Sequence, residues 1–402
     1  MGSNLDQYLS DRINSLEESA TIAMSQKSRE MKAQGIDVIS LSLGEPDFNI
    51  PEFIKESAKK AIDDNYSKYM PVPGYQDLRE AIVHKFKRDN NLNYKPSQVV
   101  VSTGAKQCIA NIVLSLVNPG DEVIVPAPYW VTYIEIVKMA GGVPVIIDTN
   151  IDNDFKITAQ QLEEAMTPKS KLMIYSTPCN PSGSFYSKEE LESLANVIAK
   201  KKDFFVISDE IYELINFTGK HESLAQFDKV MEQVVTVNGV SKAFAMTGWR
   251  LGYMAGPQFI ADACTKMQGQ FTSGTCAIAQ RATITALEAD PSVIDEMKKA
   301  YLSRRDLVLG KLDEIEGVKT NVPEGAFYIF PDVSFFFGKT YNGNVIENAS
   351  DLCLYLLQEA HVALVTGEAF GDANCVRISY AASEDQLIEA CARIKEALSK
   401  LK

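Results

Sequence analysis

Between residues 98 and 255 the chain carries seven short apolar runs, most of them separated by segments of helical periodicity, and no other feature limits the fold so strongly. The runs are Gln98–Ser102, Glu122–Val125, Val143–Ile147, Leu172–Ser176, Phe204–Ser208, Val234–Val237 and Gly252–Ala255. Most are continuously apolar rather than alternating. That predicts strands buried on both faces, as in a parallel sheet with helices packed above and below it. The intervening helices begin with visible caps: Thr158 with Gln161, and Ser187 with Glu190, read as capping boxes. Repeated strand-then-helix units predict an open, doubly wound α/β sheet, and such sheets bind ligands beyond the carboxyl ends of their strands.

Past about residue 290 the character changes. Helices are expected near 293–314, 350–360 and 384–400, flanking strands at Ala326–Phe330, Val362–Val365 and Val376–Tyr380. Ser383 with Gln386 reads as a capping box for the last helix. The pattern predicts a large domain over 48–290 and a smaller α/β domain over 291–402. Residues 1–47 hold an amphipathic helix (about Ile22–Gln34) and a short strand (Val38–Leu43). That is too little for a core of its own, so this segment is expected to pack against the small domain.

Of the 402 residues, 46% are hydrophobic and 23% charged, which is ordinary for a globular chain. The net charge of −13 argues against a nucleic-acid or anionic-membrane surface and makes any local basic cluster conspicuous. Seven cysteines without a CxxC pair and three dispersed histidines argue against a structural zinc site, and no metal is expected. The cysteine pattern suits reduced thiols, and with no secretory signal pattern and no membrane-spanning apolar stretch a cytoplasmic location is expected.

Four short motifs follow one another: Asn180-Pro-Ser-Gly183, Asp209 with Tyr212, Ser241-Lys242, and Gly248 with Arg250. Lys242 has the apolar neighbours Ala243, Phe244, Ala245 and Met246, so its amine should be poorly solvated and nucleophilic. Read alone, it would be a surface lysine with a snorkelling stem. Asp209 ends an apolar run where open α/β sheets place ligands, though an acid there also caps helices and Glu210 competes for the role. Val99–Gln107 reads as strand, glycine turn and helix. That is a phosphate-binding arrangement in which Gly104, Ala105 and Lys106 occupy the turn, although such junctions are common. Arg250 offers the forked donor set that suits a phosphate.

In this order the motifs resemble those of the fold-type-I, class I aminotransferases, and the likeness runs from about residue 20 to the last residue. Thr103-Gly-Ala-Lys106-Gln is similar in particular to the bacterial aspartate aminotransferases of branch Ib. The resemblance implies the architecture of pyridoxal-phosphate-dependent transferases: a mostly parallel seven-stranded sheet in the large domain, plus the smaller α/β domain. It implies pyridoxal 5'-phosphate as cofactor, with Lys242 as its covalent anchor and later the general base. Asp209 would face the pyridine nitrogen, and Tyr212 and Asn180 the phenolic oxygen. Gly104, Ala105, Lys106, Ser241 and Arg250 would surround the phosphate, Trp130 would stack near the ring, and Tyr133 would support Asp209. Tyr69 matches a tyrosine that reaches the phosphate of the neighbouring subunit, which implies a homodimer. For the substrate, Arg377 would clamp the α-carboxylate, Gly44 would lie in the segment closing over it, and Lys106 with Thr21 would meet a distal carboxylate. Ser182 departs from the family's commoner threonine but keeps a hydroxyl.

The reaction so implied moves the amino group of L-aspartate to 2-oxoglutarate, giving oxaloacetate and L-glutamate. Its partners are small amino and keto acids, with neither nucleic acid nor membrane. Prephenate (or aromatic) transamination is the alternative, since family members acting on prephenate share the lysine and the threonine. A C–S β-lyase on this fold would share Lys242, Asp209 and Arg377 but has no need of Lys106. A non-catalytic regulator would carry a fused basic helix-turn-helix, and only about 20 residues precede the matched region.

Overall fold

The computed structural model describes residues 8–402. After a short strand β1 (Ile39–Ser40), the chain forms β2 (Val99–Ser102), β3 (Glu122–Pro126), β4 (Val143–Ile147), β5 (Ser170–Ser176), β6 (Phe205–Asp209), β7 (Val234–Gly239) and β8 (Gly252–Ala255). All seven strands expected from the apolar runs are present, with ends within two residues of expectation. They make one sheet of order β2-β8-β7-β6-β5-β3-β4, parallel except for β8, which runs antiparallel to both neighbours.

The continuous apolar runs have a direct packing cause. Val99, Val101, Ile124, Met173, Val206 and Tyr253 enter one hydrophobic core, while Val100, Val123, Val125, Ile174, Ile207 and Met254 enter another. Successive residues of a strand point to opposite faces, so helices on both faces demand an apolar residue at every position. Thr158 and Ser187 cap their helices as expected, and in return each donates its backbone N–H to the side-chain oxygen of Gln161 or Glu190. Ser383 forms half of its expected box: it accepts the Gln386 N–H at 3.3 Å, and the return bond from the Ser383 N–H to the Gln386 side chain is missing.

A separate core lies beyond this sheet, built on helices Asp295–Asp313, Ala349–Glu359 and Glu384–Ser399. Its strands are β9 (Tyr328–Ile329), the hairpin β10 (Thr340–Tyr341) and β11 (Asn344–Val345), then β12 (Val362–Ala363), β13 (Val365–Thr366) and β14 (Val376–Ser379). The single strand expected at Val362–Val365 is two strands in different sheets: β12 pairs in parallel with β1, and β13 pairs antiparallel with β14. An apolar run shows burial but not its pairing partner, so the break at Leu364 left no mark in the sequence pattern. Through β1, residues Ile39 and Leu41 join the same core as Leu356, Ile378 and Ile394. Among the described residues, no helix is long and apolar enough to cross a membrane.

Candidate active site

The carboxyl ends of the large sheet converge on one cleft of about 270 Å³. Strand β5 ends at Ser176 and β6 at Asp209, while the connection from β7 to β8 brings Ser241, Lys242 and Arg250 to the same end. Helix Ala105–Leu116 starts there from Gly104, which has φ +82°. A side chain at Gly104 would meet that backbone strain, and its Cβ would collide with the Arg250 guanidinium. The unpaired N–H groups of the helix's first turn therefore open beside an arginine, a ready site for a phosphate.

The cleft is strongly cationic. Among the described residues, Lys106, Lys242, Arg250 and Arg377 line it against a single carboxylate, Asp209, in a chain of net charge −13. Asp209 is buried, with Oδ2 accepting from the Tyr133 hydroxyl at 2.7 Å and Oδ1 from the Ile211 N–H at 3.3 Å. Burial pushes its carboxyl up to about 6. Glu210, the competing acid, points away and accepts hydrogen bonds from Ser208 and Ser223 in the interior. Lys106 holds its ammonium 4.9 Å from the Trp130 ring centre. Partial burial and then the Arg250 guanidinium lower its pKa.

Arg377 is 2% exposed and has no carboxylate partner among the described residues. Its Nη1 donates to Asn180 Oδ1 at 3.0 Å and its Nη2 to the Ser42 carbonyl at 2.6 Å, while Nε has no partner. A buried guanidinium held only by neutral groups is a preformed receptor for a carboxylate. Lys242 Nζ donates to the Gly44 carbonyl at 2.6 Å. Burial first, then the Arg377 charge, brings its amine down to about 8. The segment Ser42–Gly44 is thus tied to both cationic side chains.

Of the residues expected at the site, Thr21, Gly44, Ala105, Lys106, Trp130, Asn180, Asp209, Tyr212, Ser241, Lys242, Arg250 and Arg377 all line this cleft. Gly104 adjoins it through Arg250. Tyr69 does not enter it and is 99% exposed. Sequence reasoning missed Tyr328, whose hydroxyl lies 2.7 Å from that of Tyr212, and Ser176, whose buried hydroxyl has no partner. Tyr328 sits in the stretch Ala326–Phe330, where five apolar or aromatic residues look like core and nothing else.

This combination of a doubly wound sheet, a phosphate turn, a desolvated lysine and a strand-end aspartate defines a pyridoxal-phosphate-type transferase. The chain belongs to the family of class I and II aminotransferases, whose family model matches residues 36–394. It is 46% identical to a bifunctional aspartate aminotransferase and glutamate/aspartate-prephenate aminotransferase of Petunia hybrida, over 99% of this chain and 84% of the relative. Among solved structures it is similar to the aspartate aminotransferase from Rhizobium meliloti (TM-score 0.95, 40% identity, 98% of this chain and 99% of that one). The aspartate aminotransferase from Thermus thermophilus with maleate is also similar, with TM-score 0.91 and 40% identity over 97% of this chain and 99% of that one.

The family's cofactor is pyridoxal phosphate, and the residues fit it. The helix turn at Gly104 and Arg250 suits its phosphate, the orphaned Ser176 hydroxyl marks a polar group awaiting a partner, and Asp209 keeps acceptor capacity for a ring N–H. When bound there, the cofactor supplies a carbonyl that takes up an amine and a ring that draws electrons from the reacting carbon.

Proposed function

We propose that the chain transfers the amino group of L-aspartate to 2-oxoglutarate, giving oxaloacetate and L-glutamate. The observation that carries this reading is the pairing of a carboxylate-free, buried Arg377 with a second cation, Lys106, in one cleft. Arg377 would take the α-carboxylate that every amino acid has, while Lys106, beside Thr21 in the same lining, would take the distal one. The relatives named for aspartate support it. Prephenate is the second reading: it too is a dicarboxylate, and the Petunia relative is named for it.

The protein's own groups divide the work as follows. Gly104, Ala105, Lys106, Ser241 and Arg250 hold the phosphate. Asp209, steadied by Tyr133, keeps a proton on the ring nitrogen, and Tyr212 with Asn180 hydrogen-bonds the phenolic oxygen. Trp130 covers the ring. Lys242 Nζ, with its pKa lowered to about 8, would take the proton from the substrate's α-carbon and carry it to the carbon two atoms away that the bound cofactor would supply. The Ser42–Gly44 segment closes over the carboxylate and excludes water.

The active unit in this reading is a homodimer. A groove of about 880 Å³ continues from the cleft past Leu114, Met139 and Phe271, and Phe271 and Tyr69 stand 64% and 99% exposed. A second copy would cover the groove, and its Tyr69 would reach the phosphate. Residues 48–290 form the cofactor-binding domain in this scheme, and 291–402 with residues 8–47 form the unit that closes on it, residues 1–7 of the expected N-terminal segment lying outside the described residues. Seven unpaired cysteines, all but Cys276 buried, suit a reducing cytoplasm.

The deciding experiment follows the absorbance of holoenzyme on adding single amino acids. Rapid conversion by aspartate and glutamate is expected, with kcat/KM falling about 10- to 100-fold in Lys106→Ala, the size of one lost charge-assisted hydrogen bond. Equal conversion by alanine or phenylalanine, indifferent to Lys106, would refute the dicarboxylate assignment. Pyruvate and ammonia without keto-acid consumption would indicate a lyase.

A further inference from the structure

Tyr328 stands at the junction of three parts of the site. In the sheet β13-β14-β9, Ser379 lies directly opposite Tyr328, and Arg377 is two residues from Ser379 on the same strand. Residues two apart on a strand share a face, so Arg377 and Tyr328 are diagonal neighbours on one side of the sheet. The contact is made: the Arg377 guanidinium carbon lies 4.6 Å from the Tyr328 ring centre. From that position the Tyr328 hydroxyl extends to the Tyr212 hydroxyl at 2.7 Å, and the two rings meet edge-on at 5.8 Å. It also presses on the closing segment. A Cβ added at Gly44 would collide with the Tyr328 hydroxyl, so only a glycine lets the segment approach this closely.

Tyr328 is 1% exposed, and the Tyr212 oxygen is the acceptor within its reach among the described residues. A hydroxyl has one proton to donate and two lone pairs to accept with. If Tyr212 directs its single proton at the cofactor's phenolic oxygen, the bond between the tyrosines must run from Tyr328 to Tyr212. Donation into the Tyr212 oxygen polarises its O–H and strengthens the next bond in the chain.

We propose that Tyr328 is a positioning residue that fixes Tyr212 as a donor toward the cofactor's phenolic oxygen and joins that bond to the Arg377 carboxylate clamp. This rests on the functional reading above. The two roles separate chemically, because the hydroxyl serves Tyr212 and the ring serves Arg377. Tyr328→Phe removes only the first, and Tyr328→Leu removes both.

The test is a pH titration of the visible absorbance of full-length holoenzyme, in the parent, Tyr328→Phe, Tyr212→Phe and the double variant. Loss of the Tyr328 hydroxyl is expected to raise the absorbance midpoint by about 0.3–0.5 pH unit, the scale of one cooperative bond. Tyr212→Phe should raise it further, and the double variant should match Tyr212→Phe alone. In steady state, KM for aspartate should move less than about twofold in Tyr328→Phe and rise about tenfold in Tyr328→Leu, where the cation–ring contact is gone. An unmoved midpoint in Tyr328→Phe, or an equal further shift in the Tyr212→Phe background, would overturn the proposal. A parent holoenzyme inert to every amino acid would overturn the functional reading instead, while the titration, which needs no turnover, still decides the role of Tyr328.

Discussion

Tyr133 donates a 2.7 Å hydrogen bond to Asp209 Oδ2, and among the described residues this is the only carboxylate lining a cleft with four cationic side chains. Burial lifts Asp209 from its ordinary 3.8 to about 6. The folded chain therefore holds this proton more tightly than the unfolded chain. The resulting stability is complete below the unfolded value and is lost as pH rises through about 6. Without cofactor, Asp209→Asn should be more stable than the parent at pH 8 by about 1–3 kcal/mol, and no more stable near pH 4. With cofactor its activity should fall by about 100-fold or more, because a neutral amide cannot balance a protonated ring. Thermal melts at the two pH values check the first part, and a destabilised apo variant at pH 8 would contradict it.

Lys242 reacts only as a neutral amine, and its pKa lies at about 8. Reloading of apoenzyme with pyridoxal phosphate should accelerate with pH and level off above about 8. The Arg377 charge is the second cause of the lowered value after burial, so Arg377→Leu should move the midpoint upward. Stopped-flow absorbance across pH 6 to 10 measures both curves; coincident midpoints would show that the two cations do not interact.

Arg377 presents two nitrogens already engaged by Asn180 and Ser42 and a third with no partner. Lysine cannot reproduce that fork. Arg377→Lys should lower kcat/KM for aspartate about 10²- to 10³-fold, the equivalent of about 3–4 kcal/mol, mainly through KM. The melting temperature should hold, which separates loss of recognition from loss of structure.

Behind the site, the buried Lys85 pairs with the buried Glu213, and Asn90 bridges them at 2.9 Å and 2.8 Å. Burial alone would raise Glu213, but Lys85 and then His221 hold it below its ordinary value. Lys85→Met leaves that carboxylate unpaired and should cost about 3–5 kcal/mol of stability. Lys85→Met with Glu213→Leu should recover most of it. Urea titrations of the four chains close this cycle, and a neutral single variant would show that the pair contributes little.

The legible part of the molecule is local. Each of β2 to β8 lies within two residues of its expected place because helices cover both sheet faces and every position must be apolar. Lys242 sits among apolar neighbours and Asp209 at the end of an apolar strand, so their surroundings are local, whereas Asn180 stood out only through the resemblance of its motif to the family. Tyr328 could not be singled out, since its importance comes from facing Ser379 across two strands and from reaching Tyr212, 116 residues away. Val362–Val365 reads as one strand for the same reason: pairing with β1 for one half and β14 for the other is a long-range choice.

The α/β class and the helix caps at Thr158 and Ser187 could be read directly from residue patterns, while the roles assigned to the site residues came from the order of their motifs and the family these resemble. The class and the caps are properties of neighbouring residues, set by side-chain burial and local hydrogen bonding. The folded arrangement added what the sequence did not show: Arg377 is buried with no carboxylate beside it among the described residues, Gly44 accepts from Lys242, and Tyr328 touches both Arg377 and Tyr212. Contacts between segments far apart in the chain depend on strand register and on which faces meet, and no stretch of sequence carries that information alone.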